Sequence, residues 1–211
     1  MRIALIYIFP NLQHRTYEPL AQRFTKAYLD FPTATDHELY VCVNGSGEIT
    51  PRQRQLFSPL DPRFIHHDNS GRDIGAYQFA AKILACDLLV CMGAPTRPCM
   101  DGWLDFMVQA VQDNGPGLYG CWAFKTPAPH IRTTLFWTQP EILNAYPAPI
   151  DTSKRYQFEF GPSSITQFCF QVGLQTLQVT KAGVFNRDNW HHVEREESMM
   201  LDQHCDKLGY V

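Results

Sequence analysis

The residues of this 211-residue chain best suited to chemistry form the string Asn69-Ser70-Gly71-Arg72-Asp73. Glycine lets the backbone approach a ligand closely, a guanidinium pairs with phosphate, and a carboxylate accepts from ribose or base donors. Apolar residues then recur at Ile74, Tyr77, Ala81 and Leu84, so a helix opens directly after the glycine turn and points its positive end at the same place. Local sequence fits equally an Asx-type turn with an Asp cap ahead of a helix.

The elements that must position this string follow from the apolar patterning. Ile3 to Ile8 is a continuous apolar run, as expected of a central strand covered on both faces. A helix is predicted from Tyr17 to Leu29, and a second strand from Leu39 to Val43 that ends at Asn44-Gly45-Ser46-Gly47. A polar, proline-containing loop leads to a third strand, Phe64-Ile65-His66, and a fourth covers Leu88 to Met92. A helix starting near Trp103 stops at Asn114-Gly115-Pro116-Gly117. The second half reads as strands at 118–124 and 131–137, short helices at 139–146 and 163–172, a strand at 175–180 and a weakly helical tail over 194–208. Strands alternating with helices predict an α/β fold, one domain with a mixed, mainly parallel central sheet flanked by helices. Residues 1–115 would bind a nucleotide and 116–211 would hold the second substrate.

Composition narrows the function. The net charge of −3 gives no reason to expect attachment to nucleic acid or to an anionic membrane surface, so a small ligand is the expected partner. The seven cysteines are spread through apolar runs, which suggests reduced thiols serving as core residues in a cytoplasmic compartment. No stretch approaches the roughly 20 apolar residues of a transmembrane helix. His66-His67 and His191-His192 invite a zinc reading, but adjacent residues on a strand face opposite ways, so no dedicated zinc centre is expected.

The string Asn69 to Ala76 resembles the N-x-G-x-D-x-G-A signature of GT-A glycosyltransferases, especially those related to rhamnan-synthesis enzymes. Collinear segments extend the resemblance over most of the chain: Val90 to Gly93, Gly102-Trp103-Leu104, Gly117 to Gly120, Pro129 to Thr134 and Arg155 to Gly161. The resemblance implies a GT-A (Rossmann-like) fold that moves a sugar from a UDP-sugar, of glucose, galactose or rhamnose type, to a hydroxyl of a glycan or glycoprotein. The chain would then be one domain of a longer enzyme, such as the multidomain glycosyltransferases of large algal viruses, working in the host cytoplasm. A non-catalytic nucleotide-sugar or glycan-binding module is the alternative.

By that resemblance Tyr7, Phe9, Asn44 and Asp73 surround the nucleoside, with Asn69, Gly71 and Tyr77 in the same site, and Arg72 lies near the diphosphate. Tyr7 and Phe9 fit core positions equally well. His130 and Arg132 alternate on a predicted strand and would face one side, reaching sugar or phosphate. Trp103 is a sugar-stacking candidate or a core residue. Such enzymes hold Mn²⁺ or Mg²⁺ with an Asp-x-Asp motif after the fourth strand, but here that place reads Met92-Gly93-Ala94-Pro95-Thr96. A divalent ion would therefore be held by the phosphates, Asp73 and a C-terminal group such as His204 or Asp206. Alternatively, Arg72, Arg97 and Arg132 neutralise the leaving group. Glu159, and with less support Asp206 or Asp202, would be the carboxylate that takes the acceptor proton.

Overall fold

The computed structural model describes residues 1–12, 17–126, 128–147, 155–203 and 205. The first half is four parallel strands with crossover helices. β1 (Ile3–Pro10) pairs with β2 (Glu38–Asn44) on one side and β4 (Leu88–Met92) on the other, and β2 pairs with β3 (Arg63–His67). β1, β2 and β4 are apolar because helices cover both faces, whereas β3 is an edge strand with a polar sequence. The register sets Pro10, Asn44 and His67 side by side at the carboxyl ends of three strands.

Alternation along β1 divides the core. Ile3, Leu5, Tyr7 and Phe9 face a layer containing α1 (Glu18–Asp30) and α4 (Trp103–Asn114). Ala4, Ile6 and Ile8 face a layer containing α3 (Arg72–Ile83). Tyr7 stacks on Phe24 of α1 with ring centroids 3.9 Å apart, and Phe9 meets Phe57 edge-on at 5.5 Å. Burying each such ring contributes about 1.5–3 kcal/mol.

The expected proline-containing loop is in part helical. α2 (Pro51–Phe57) opens with a capping box in which Thr50 Oγ1 accepts from Gln53 N (3.2 Å) and Gln53 Oε1 accepts from Thr50 N (3.0 Å), with a proline in the first turn. β5 (Arg97–Pro98) follows the fourth strand's loop.

In the second half the expected strand at 118–124 is two strands, β6 (Gly117–Gly120) and β7 (Ala123–Phe124). That at 131–137 is also two, β8 (His130–Ile131) and β9 (Leu135–Thr138), divided by a turn at Thr133-Thr134. β9 runs antiparallel between β4 and β6. α5 (Pro140–Ala145), α6 (Arg155–Phe160) and α7 (Ile165–Gln171) precede β10 (Gln175–Thr180), which pairs parallel with β6, and β11 (Gly183–Phe185) closes the sheet. The eight-stranded order is β11-β10-β6-β9-β4-β1-β2-β3, so the sheet is mixed and mainly parallel, as expected. Over 194–202 the expected helix is replaced by a 3-10 turn at Arg195–Glu197 and β12 (Met200–Leu201), which pairs with β5, and helical backbone is found at Gln203 and Cys205. The cysteines described as core residues are free thiols; burial pushes that of Cys42 up to about 12. Among the described residues no helix is long and apolar enough to cross a membrane.

Candidate functional site

A cavity of about 580 Å³ opens beyond the carboxyl ends of β1, β2 and β4, where ligands bind in open α/β sheets. Asn44, Asn69, Arg72, Asp73 and Arg132 all line it. Five of the residues expected at the site therefore converge, from three separate stretches of chain.

The turn after β3 is tightly specified. Asp68 Oδ1 accepts from Ser70 N (2.8 Å) and Ser70 Oγ (2.6 Å), which holds its carboxyl below the usual range. Asn69, Gly71 and Arg72 have φ of 68°, 70° and 57°, so the backbone is left-handed at three of four positions before α3 continues. Only glycine adopts that region at no steric cost, and for Arg72 the conformation is strained. Asp68, not Asp73, makes the Asx turn, and Gly71 is the helix N-cap without a side-chain cap. A Cβ on Gly75 would lie 1.8 Å from the Ser70 carbonyl, so the first turn of α3 is pressed against the loop.

Asn44 is buried, with Oδ1 lying 2.8 Å from His67 Nδ1. The same ring nitrogen is 3.2 Å from Asn69 N. Burial lowers the His67 pKa and the Asp68 carboxylate pulls it back up. His67 thus lies against the Asn44 side-chain amide and the Asn69 backbone N–H, a role that its place opposite Asn44 at adjacent strand ends explains.

The far wall is the loop Gly93-Ala94-Pro95 and the turn after β8. The Thr134 carbonyl accepts from Gly93 N (2.8 Å) and Thr96 Oγ1 (2.9 Å), tying the two together. Arg132 pairs with Asp202 at 3.0 Å; the Asp202 carboxylate is fully buried and also accepts from Thr134 Oγ1 at 3.3 Å.

Several expected site residues lie elsewhere. Tyr7 and Phe9 point into the α1 layer because odd residues of β1 face away from the cavity, and the even residues Ile8 and Pro10 line it instead. Tyr7 still acts on the wall, since its hydroxyl donates to the Ala94 carbonyl at 2.8 Å. Tyr77 is fully buried in α3; its hydroxyl lies near Gly93, beneath the cavity, and has no hydrogen-bond partner among the described residues. Burial, reinforced by the Asp73 charge, raises its pKa and keeps it protonated.

His130 does not line the cavity with Arg132: its ring stacks on Phe124 and packs on Phe160, with Nδ1 at the Ala128 carbonyl. The strand ends at Ile131, so alternation does not carry to residue 132. Glu159 is on a helix, α6, and its carboxylate is engaged by the Thr133 backbone N–H (3.3 Å) and hydroxyl, buttressing the turn that carries Arg132. Trp103 is core, donating Nε1–H to the Phe31 carbonyl, and Arg97 lines a different cavity. His204 and Asp206 lie outside the described residues. Sequence reasoning missed Tyr17 and Gln203, which also line the cavity. Nothing in their local pattern marks them.

No family model matches the sequence, and no curated protein is significantly similar to it. Solved structures do match the fold. One is a CMP:2-keto-3-deoxy-manno-octonic acid synthetase complexed with CTP, at TM-score 0.55 and 12% identity over 82% of this chain and 87% of that one. Another is a mannosyltransferase from Pyrobaculum calidifontis in complex with GDP-Man and Mn²⁺, at TM-score 0.53 and 14% identity over 69% of this chain. The match spans 46% of the mannosyltransferase's length. Mouse xyloside xylosyltransferase 1 matches at TM-score 0.51 and 8% identity over 82% of each chain. The fold is GT-A, Rossmann-like. At these identities the likeness is one of fold, and this fold serves a synthetase as well as glycosyltransferases.

Chemically, the cavity combines two guanidiniums and the N-terminal end of α3, which suit phosphate, with two amides and a carboxylate, which suit hydroxyl and base donors. For a divalent cation, no group of three or more His, Cys, Asp or Glu side chains is found among the described residues. The donor set fits a hard cation in one way, with the Asp73 carboxylate as protein ligand and phosphate oxygens supplying others.

Proposed function

We propose that this chain is a glycosyltransferase that binds a UDP-sugar in the strand-end cavity and transfers the sugar to a hydroxyl of a glycan. The observation that carries this reading is the convergence of Asn44, Asn69, Arg72, Asp73 and Arg132 on one cavity of nucleotide-sugar size. Asn44, whose side chain His67 holds in place, and Asn69 bond the base and ribose. Arg72 and the α3 N-terminus face the diphosphate, and Arg132 offsets the charge that develops on the leaving nucleotide. A divalent ion, Mn²⁺ or Mg²⁺, would be held by Asp73 and would supply further charge neutralisation there. Residues 1–115 then serve the nucleotide, and 116–211, through Arg132 and the turn braced by Glu159, serve the sugar and acceptor.

One observation favours the second reading, a nucleotide-sugar-binding module without turnover. Among the described residues lining the cavity Asp73 is the one carboxylate, while Glu159 is bound to Thr133 and Asp202 to Arg132. UDP with Mn²⁺ should raise the melting temperature more than CMP or GDP does. Equal responses to all three would sink both readings, and a larger response to CTP would point to nucleotidyl transfer. Slow hydrolysis of a UDP-sugar, reduced by at least about 100-fold in Asp73→Ala, separates the enzyme from the module. UDP binding without hydrolysis leaves the module.

A further inference from the structure

A second cavity, of about 560 Å³, lies on the α1 flank, between α1, β5, the turn after β10 and the Arg195–Glu197 turn. Its lining carries five cationic side chains, Arg23, Lys26, Arg97, Lys181 and Arg195, against two carboxylates, Asp30 and Glu196. Lys26 engages Asp30 within α1, and the lining as a whole carries more cations than carboxylates. The chain as a whole carries −3, so this concentration of positive charge runs against the molecule's net balance.

Four of the cations are exposed side chains, and with Arg97 they converge on one concavity. Arg97 is buried to 8% exposure, and a guanidinium is held out of water only where the surroundings offset its desolvation. At the neighbouring Cys99, burial pushes the thiol up while Lys181, Arg97 and Arg195 pull it down. Three cations from three elements therefore project their field onto one wall. A concavity lined predominantly by one sign of charge concentrates counter-ions.

We propose that this flank cavity binds a small ligand bearing phosphate or carboxylate groups, separate from the strand-end site. The proposal does not rest on the functional reading above. The concave shape and the limited volume fit a small oligoanion, and the net negative charge of the chain disfavours a nucleic acid. β12 keeps the two cavities apart: Leu201 lines the flank cavity, Gln203 lines the strand-end one, and the buried Asp202 between them holds Arg132.

The test is calorimetric titration of the full chain with pyrophosphate and, separately, citrate, at ionic strength held constant with chloride. Three proteins are compared: wild type, Arg72→Ala, and Lys181→Gln with Arg195→Gln, whose residues are exposed and leave the core intact. Binding should survive Arg72→Ala and weaken by roughly tenfold or more in the double variant. Tighter binding of pyrophosphate identifies a phosphate ligand, and of citrate a carboxylate one. The proposal fails if wild type binds neither anion beyond chloride competition, or if Lys181→Gln with Arg195→Gln binds both as wild type does.

Discussion

The two cavities have nearly the same volume, about 580 and 560 Å³, and are built in opposite ways. The strand-end cavity is walled by loops pinned to the sheet: Ala94 by the Tyr7 hydroxyl, Gly93 and Thr96 by the Thr134 carbonyl, Asn44 by His67, Arg132 by Asp202. The flank cavity, apart from Arg97, takes its charge from exposed side chains on a helix and two turns. The first is preorganised by buried hydrogen bonds and the second selects by its field. Substitutions at the first should therefore cost stability as well as binding, and those at the second binding alone.

The largest contrast is expected at Arg132. Its side chain is 22% exposed and the Asp202 partner is fully buried, so Arg132→Ala takes a guanidinium away from a buried carboxylate. Breaking a buried pair from one side costs about 3–5 kcal/mol. Urea unfolding should read a loss of that order, partly recovered in Arg132→Ala/Asp202→Ala. Lys181→Gln, in the flank cavity, should stay within about 0.5 kcal/mol of wild type. Similar losses at both residues would erase the distinction.

A smaller effect is expected from Gly75→Ala. The new methyl group would meet the Ser70 carbonyl at 1.8 Å, so the left-handed turn or α3 must move. Overpacking of this kind costs about 1–3 kcal/mol, and here the displaced atoms carry Asn69, Arg72 and Asp73. UDP affinity should therefore fall by more than global stability accounts for. An unchanged affinity in a destabilised protein would mean that the turn does not shape the site.

The same contrast explains how much was legible. Asn44, Asn69, Arg72 and Asp73 could be placed because each follows a run of apolar residues, and strand ends in a parallel sheet share one crevice. The choice between site and core stayed open for Tyr7 and Phe9 because alternation says which residues share a face but not which face the ligand uses; the crossover helices decide that. The α2 helix was missed although Thr50-Pro51-Arg52-Gln53 is a capping signature, since its one buried residue, Phe57, gives no periodicity. The breaks within 118–124 and 131–137 depend on tertiary bonds such as Glu159 to Thr133, which no local pattern encodes. Nor does charge spacing reveal the flank cavity. Its cations are drawn from residues 23 to 195.

The smallest expected effect is a pH dependence at His67. Burial disfavours the imidazolium, so the folded state takes up this proton at lower pH than the unfolded chain, whose value is near 6.5, despite the opposing pull of Asp68. The unfolded chain then holds more protons as pH falls below that value, and stability falls with it until the folded form is protonated too. Stability linked to His67 is thus fully present above about pH 6.5 and declines toward acid. His67→Asn keeps an amide nitrogen that can reach Asn44 Oδ1 but cannot titrate. Its melting temperature should depend less steeply on pH between about 5 and 7 than that of wild type. Parallel curves would mean that the ring is as well hydrated folded as unfolded, and that Asn44 is held by something other than a buried neutral imidazole.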